Sequence, residues 1–155
     1  MNLYKLHSNP EELIGDETIV PSVQYRRLSQ LVKQRKAPGL MNKMKNRLIN
    51  TDKEIKQIMD RLKNDPWAAG MIARHILDKP WPEGEPAIAK HPHLALLYAR
   101  DILAGPFPAG EPAIASERSY AFDYANEVLR GRFPEGEPEI RKSKGLWKKY
   151  TTNVV

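Results

Sequence analysis

The sequence predicts an all-α protein, in which basic N-terminal helices precede three 26-residue helix–turn–short-helix repeats and a C-terminal capping helix. An eight-residue phrase occurs three times at 26-residue intervals, as WPEGEPAI from Trp81, FPAGEPAI from Phe107 and FPEGEPEI from Phe133. The stretch before each phrase carries apolar residues at helical spacing. The phrases themselves are rich in Pro and Gly, which end helices and form turns. A fixed period of roughly 20–50 residues is typical of stacked helical arrays.

The long helix of the repeat is clearest in the second copy, residues 91–116. Its apolar stripe consists of Leu94, Leu97, Tyr98, Ile102 and Leu103,. Gly105 is expected to end this helix as its C′ residue, because glycine adopts the left-handed conformation found there. Pro106 follows and cannot continue the helix.

The phrase predicts a turn and a second, short helix. Gly110 is expected to permit the turn, and Pro112 is expected to start the short helix. The predicted core of the array consists of Trp81, Phe107 and Phe133, the isoleucines Ile88, Ile114 and Ile140, and the tyrosines Tyr98, Tyr124 and Tyr150. The recurring glutamates, at 85, 111 and 137, are expected to favour the short helix through its dipole and to cap free N–H groups, rather than to catalyse.

The domain organisation follows from the repeat. We expect an N-terminal helical section (1–50), a linking or capping helix (51–64), three repeats (65–142, divided into 65–90, 91–116 and 117–142) and a capping half-repeat (143–155). Asn9-Pro10 and Pro21-Ser22 are predicted helix starts, and residues 40–49 form a further segment with an apolar face. Thr51-Asp52-Lys53-Glu54 is a capping box that predicts a new helix, docked on the first repeat. Trp147 replaces an alanine of the other copies and is expected to cover the open end.

Charge is divided along the chain into basic, acidic and basic zones, with a net charge of +6. Residues 18–51 contain no Asp or Glu, so the basic segment 26–47 could meet nucleic-acid phosphates, a protein partner or only solvent,. Candidate partner-binding or nucleic-acid-binding residues are Arg26, Arg27, Lys33, Arg35, Lys36, Lys43, Lys45, Arg47, Lys144, Lys148 and Lys149. Tyr25 is the one aromatic residue of 18–51, which argues against single-strand readout there,.

Enzyme and cofactor motifs find little support in the sequence. The chain has no cysteine, which excludes disulfides, thiolate nucleophiles and Cys-ligated metals,. His91-Pro92-His93 lacks a third ligand and does not recur in register, so no metal is expected. There is no Gly-rich phosphate loop and no nucleophile elbow, so we assign no catalytic or cofactor-binding residue and no cofactor. No apolar run is long enough to span a membrane, and a cytoplasmic location is expected.

The wording YARDIL-x-G-x-FP-x-GEPAIA, from Tyr98, resembles short tandem helical repeats of proteins from large tailed bacteriophages. The opening LYKLHSNPEEL is also similar to the start of such proteins. The resemblance covers 65–142 well and 1–23 loosely, and the first copy departs from it at Gly70 and Ile72. It implies a non-enzymatic protein of the infected host cytoplasm that binds a host or phage protein and acts as a host-modulating or anti-defence factor. The alternatives are nucleic-acid binding through 26–47 and self-assembly as a homo-oligomer.

Overall fold

A computed structural model describes residues 19–35 and 45–154, with side chains for 23–33 and 52–154. Within these ranges the chain is all-α, as predicted, and contains no β-strand. It divides into two compact units between Leu62 and Lys63. No helix in the described ranges combines the length and the apolar character that crossing a membrane requires.

The first unit contains helices α1 (Ile19–Arg35) and α2 (Lys45–Leu62), which pack against each other. Leu28 and Leu31 of α1 are buried, as are Ile55, Ile58 and Leu62 of α2. Pro21 lies in the first turn of α1, where its missing N–H removes no helical hydrogen bond. The predicted helix at Asn9-Pro10 lies outside the described residues.

The predicted helix start at Thr51 is wrong, because α2 passes through this position without a break. Asn50, Thr51 and Asp52 are poor helix formers, but each costs less than about 0.7 kcal/mol relative to Ala in a helix interior. No proline or glycine lies between Lys45 and Leu62. A capping-box sequence without a helix breaker before it therefore does not interrupt the helix. The role of residues 51–64 as a cap stays a prediction.

The second unit alternates long and short helices. The long helices begin as α3 (Pro66–Met71), α5 (Pro92–Leu97) and α7 (Arg118–Asp123), and continue as π-helical stretches at Ile72–Leu77, Tyr98–Leu103 and Tyr124–Leu129. The short helices are α4 (Glu85–Ile88), α6 (Glu111–Ala115) and α8 (Glu137–Arg141), and α9 (Lys144–Asn153) ends the described chain. Each long helix packs against the next, α7 packs against α9, and each short helix packs against the long helix before it.

The long helices end one residue earlier than the sequence predicts. The left-handed residues are Asp78, Ala104 and Arg130, with φ of 50°, 49° and 50°. Gly105, the predicted C′ residue, is not left-handed. The last turn is π-helical, so the Ala99 carbonyl already accepts the N–H of Ala104, and that of Gly105 at 3.1 Å. The chain therefore reverses at Ala104, although a left-handed residue with a Cβ is strained by about 1–2 kcal/mol.

The phrase glycines permit close packing rather than an unusual backbone. Gly110 has φ −92°, which any residue adopts, so the predicted turn role is not what requires glycine. A Cβ at Gly110 would lie 2.5 Å from the Phe107 ring and 2.8 Å from the Cβ of Ala95. Gly136 repeats these distances with Phe133 and Ala121. The glycine thus lets the phrase aromatic lie between its own turn and its own long helix.

The nine residues of the predicted array core are all buried. Trp81 is 6% exposed, Phe107 3% and Phe133 1%, while the three phrase isoleucines are fully buried. Tyr98 is 2% exposed, and Tyr124 and Tyr150 are fully buried. The core therefore runs along the whole second unit, and the polar ends of three buried tyrosines must find partners inside it.

Candidate functional site

Each of these tyrosines reaches back into the phrase of the copy before it. The Tyr98 hydroxyl accepts the backbone N–H of Trp81 at 2.8 Å and donates to Oε1 of Glu85 at 2.8 Å. Tyr124 makes the same two bonds, with Phe107 and Glu111, at the same distances. We call each set of aromatic residue, glutamate and tyrosine a joint. The first two joints, made by Tyr98 and Tyr124, are the inner joints.

The third joint joins Tyr150 to Phe133 and Glu137. Tyr150 accepts the Phe133 N–H at 2.8 Å and donates to Glu137 at 3.2 Å. Glu137 is 6% exposed and also accepts from Arg132 at 2.8 and 2.9 Å and from Arg141 at 3.3 Å. The hydrogen bond from Arg132 lowers the pKa of Glu137, and burial opposes this effect.

The joints explain the phrase glutamates. The three phrase glutamates lie in the first turn of the short helices, as predicted, and their side chains accept hydrogen bonds from the next copy's tyrosine. Burial raises the pKa of Tyr98 to about 12, and Glu85 acts in the same direction. Burial likewise raises the pKa of Tyr124 and of Tyr150. These hydroxyls are therefore structural donors at neutral pH.

Sequence reasoning placed the tyrosines in the core but missed the joints. A signal was present: the tyrosine recurs in register at 98, 124 and 150, whereas the first copy has Ile72 there. No phrase precedes the first copy, so a hydroxyl at 72 would have no aromatic N–H and no glutamate to bind. Ile72 is fully buried.

The tyrosine of the third joint contacts a different ring from those of the inner joints. Tyr98 and Tyr124 each contact the aromatic ring of their own copy, with centroids 5.1 Å apart. On Tyr150 the neighbouring ring is Trp147 of the same helix, with centroids 5.4 Å apart and ring planes 22° apart. The guanidinium of Arg141 lies 4.3 Å from the Trp147 ring centroid,. Trp147 thus gives Tyr150 the aromatic contact that Phe107 and Phe133 give the other two tyrosines.

Ion pairs connect the long helices on their exposed side. Arg74 pairs with Asp101 at 3.1 Å, and Arg100 pairs with Asp101 at 2.7 Å and with Glu127 at 3.0 Å. These pairs link three consecutive copies in register. They are partly exposed, so each contributes little to stability.

An apolar groove lies between the first two short helices. It has a volume of about 600 Å³, is open to solvent, and is lined by Pro82, Glu85, Pro86, Ala89, Lys90, Ala109, Pro112 and Ala113. In the third copy, Glu135 and Glu139 stand where Ala109 and Ala113 line this groove. The two alanines therefore distinguish this groove from its counterpart one copy further along.

The predicted basic residues are distributed over both units. Arg26 and Lys33 are exposed on α1, whereas Arg27 donates to Glu54 at 2.8 and 3.2 Å. Arg35, Lys45 and Arg47 lie on α1 and α2 without described side chains, and Lys36 and Lys43 lie outside the described residues. Lys144, Lys148 and Lys149 are exposed on α9.

The histidines of the His91-Pro92-His93 pair lie among aromatic rings. The Trp67 ring is 5.1 Å from His91 and 6.2 Å from His93. In the parts of the chain with described side chains, no three His, Asp or Glu residues are grouped to hold a metal ion.

No family model, curated protein sequence or solved structure matches this chain.

Proposed function

We propose that this chain is a non-catalytic binding protein whose partner is another protein. The observation that carries this proposal is the open apolar groove between α4 and α6. Prolines and alanines line most of it, and solvent-facing apolar concavities of this kind accept apolar side chains of a partner,. The resemblance to bacteriophage repeat proteins favours a host or phage protein as the partner, and a role in modulating the host.

The rest of the array supports binding over catalysis. The recurring tyrosines and glutamates of the joints hydrogen-bond each other, and the tyrosines also bind the backbone of the phrase. A group that holds two helices together in this way is not free to transfer protons to a substrate. In the groove, the side chain of Glu85 is held by its hydrogen bond from Tyr98.

The chain offers a matched variant to test the groove. Replacing Ala109 and Ala113 with glutamate (A109E together with A113E) introduces the residues that the third copy has at these positions. The variant should fold normally but present a charged groove. A random-peptide display library, selected on the native chain and counter-selected on the variant, should yield apolar peptides that bind the native chain at least tenfold more tightly.

A pull-down from bacterial lysate with the same two proteins extends the test to natural partners. A protein that the native chain retains and the variant loses would support the proposal. Peptides or lysate proteins that bind both forms equally would remove the groove as the contact site. Retention of this chain alone would point to self-assembly.

Nucleic-acid binding through the segment 26–47 is the second candidate, and the exposure of Arg26 and Lys33 on α1 favours it. Both side chains lie on the side of α1 away from the buried Leu28 and Leu31. Phosphate contacts need charge and little else. Replacing both residues with alanine (R26A together with K33A) should weaken duplex binding and reduce its salt dependence, measured by fluorescence anisotropy. Unchanged binding would remove this candidate.

A further inference from the structure

Four aromatic and imidazole rings form a row along the edge of the second unit at which the long helices begin. Trp67 contacts His91 at 5.1 Å and His93 at 6.2 Å, and His93 contacts Tyr120 at 5.5 Å between ring centroids. All four are half-buried. The row links the first turns of α3, α5 and α7, so it extends across three copies.

Cationic side chains flank this row. We define the aromatic edge as residues 63–67, 90–93, 116–120 and 142–145, which are the segments where one copy meets the next. Its charged residues are Lys63, Lys90, Arg118, Lys142 and Lys144 against Asp65 and Glu117. Lys90, Arg118 and Lys144 are exposed. Of the two acids, Asp65 already accepts the N–H of Ala68 at 2.7 Å.

The start of α9 belongs to the same edge. Tyr150 binds the Phe133 N–H at the distance at which Tyr124 binds that of Phe107. Helix α9 therefore sits on the third copy as α7 sits on the second, and Lys144 takes the register position of Arg118.

The phrase-bearing segments have the opposite balance of charge. Residues 78–85, 104–111 and 130–137 carry the cations Lys79, Arg130 and Arg132 against the acids Asp78, Glu83, Glu85, Glu111, Glu135 and Glu137. An anionic ligand is thus favoured at the aromatic edge and disfavoured at the phrases.

We propose that the aromatic edge binds single-stranded nucleic acid. Unpaired bases stack on aromatic side chains, and lysine and arginine beside them meet the phosphates. A duplex offers phosphates to the cations but keeps its bases stacked on one another, so it cannot use the row of rings. The edge supplies the rings that the basic segment 26–47 lacks. This site is separate from the groove and does not depend on the proposed function.

The experiment is fluorescence anisotropy of a short labelled single strand, as DNA and as RNA, and of the matching DNA duplex, titrated with the full chain. Single strands should bind more tightly than the duplex, and their affinity should fall with salt. The ring variant is H93S together with Y120L, since Ser119 and Leu94 are the residues at these register positions in neighbouring copies. It should weaken single-strand binding about tenfold or more and leave duplex binding nearly unchanged.

A pair of charge variants of equal net charge tests the location. K90E with R118E changes the aromatic edge, and K79E with R130E makes the same residue exchanges in the phrase-bearing segments. The first should abolish most single-strand binding and lower the slope of log affinity against log salt by about 1.4, for two lost phosphate contacts. The second should retain native affinity. Circular dichroism should show native helix content in all variants.

Three results would overturn the proposal. One is the absence of single-strand binding at low salt. Another is equal loss of affinity in the two charge variants, or loss in R26A with K33A instead, which would move the contact to α1. The third combines two observations: polyglutamate of equal total charge displaces the strand fully, and the ring variant binds the strand as tightly as the native chain. Together they would mean that the edge recognises an acidic peptide or charge alone.

Discussion

The two inner joints and the third joint use the same three groups but are completed differently. Tyr98 and Tyr124 each lie between a glutamate of the copy before and an aromatic ring of their own copy. Tyr150 has the glutamate, but its ring contact comes from Trp147 of the same helix, and Arg132 and Arg141 add bonds to Glu137. The difference shows that a side chain of the tyrosine's own helix can supply the ring contact that a phrase supplies in the inner joints.

The largest expected effect comes from crowding an inner phrase. Gly110→Ala places a Cβ 2.5 Å from the Phe107 ring and should lower the free energy of unfolding by about 3 kcal/mol,. The matched control is Gly145→Ala in α9, where nothing lies within 4 Å of the new Cβ. That variant should gain about 0.5–1 kcal/mol, because alanine is a better helix former. Urea unfolding measures both. Equal losses would show that glycine is needed for some other reason than space.

Removing a joint hydroxyl should cost more in an inner joint than in the third. Tyr124→Phe leaves the buried Phe107 N–H without an acceptor and removes the donor to Glu111, for an expected loss of about 2 kcal/mol,. Tyr150→Phe orphans the Phe133 N–H, but Glu137 keeps its bonds to two arginines. Its loss should therefore be nearer about 1 kcal/mol.

Urea unfolding measures the loss in both variants. A loss in Tyr150→Phe equal to or larger than that in Tyr124→Phe would contradict the compensation by arginine.

Alkaline pH should lower the free energy of unfolding through the joints, by a smaller amount. The folded-state pKa of Tyr98 is raised to about 12, above the ordinary 10.0, so the protonated hydroxyl is favoured in the folded chain. The resulting stability is fully present below pH 10 and is lost as pH rises toward 12. The phenolate still accepts the Trp81 N–H but repels Glu85, so the loss is partial. Unfolding free energy followed across this window should fall less in Tyr98→Phe than in the native chain.

The smallest effect is expected where a long helix ends. Ala104→Gly should raise the free energy of unfolding by about 1 kcal/mol, because glycine adopts φ 49° without strain,. Transferring the glycine, as A104G with G105A, should keep this gain. No gain in either variant would show that the left-handed residue is not strained in the native chain. No such gain in unfolding free energy is expected from a glycine at the end of α9, because this helix lacks the π-helical ending.

Periodicity alone predicted the helical class, the alternation of long and short helices, and the burial of the phrase aromatics and isoleucines. These properties depend on which residues share a face, and register shows that directly. The joints depend on contacts between copies, and a repeat of 26 residues does not show whether Tyr98 faces the phrase before it or the one after it. The exception in the first copy, Ile72, was the one residue from which that direction could be inferred.

Backbone details were predicted less well, for physical reasons. Gly105 resembles a left-handed helix end, but the π-helical turn moves the reversal to Ala104. Thr51 to Glu54 resemble a helix start, yet nothing before them breaks the helix. The candidate surfaces could be predicted only in part. The lysines of α9 can be recognised in the sequence, whereas the row of rings forms only because the stacking of the copies brings Trp67, His93 and Tyr120 together.

Each joint connects a phrase to a tyrosine 17 residues further along the chain. During translation a phrase therefore leaves the ribosome before the tyrosine that completes its hydrogen bonds. The hydrogen bonds of each phrase can form only after the first half of the next copy has been synthesised, and those of the third phrase only after α9. We therefore expect the folded array to grow from the N-terminus towards Tyr150 during synthesis. A chain that stopped after Lys142 would release its third phrase with the Phe133 N–H still unpaired.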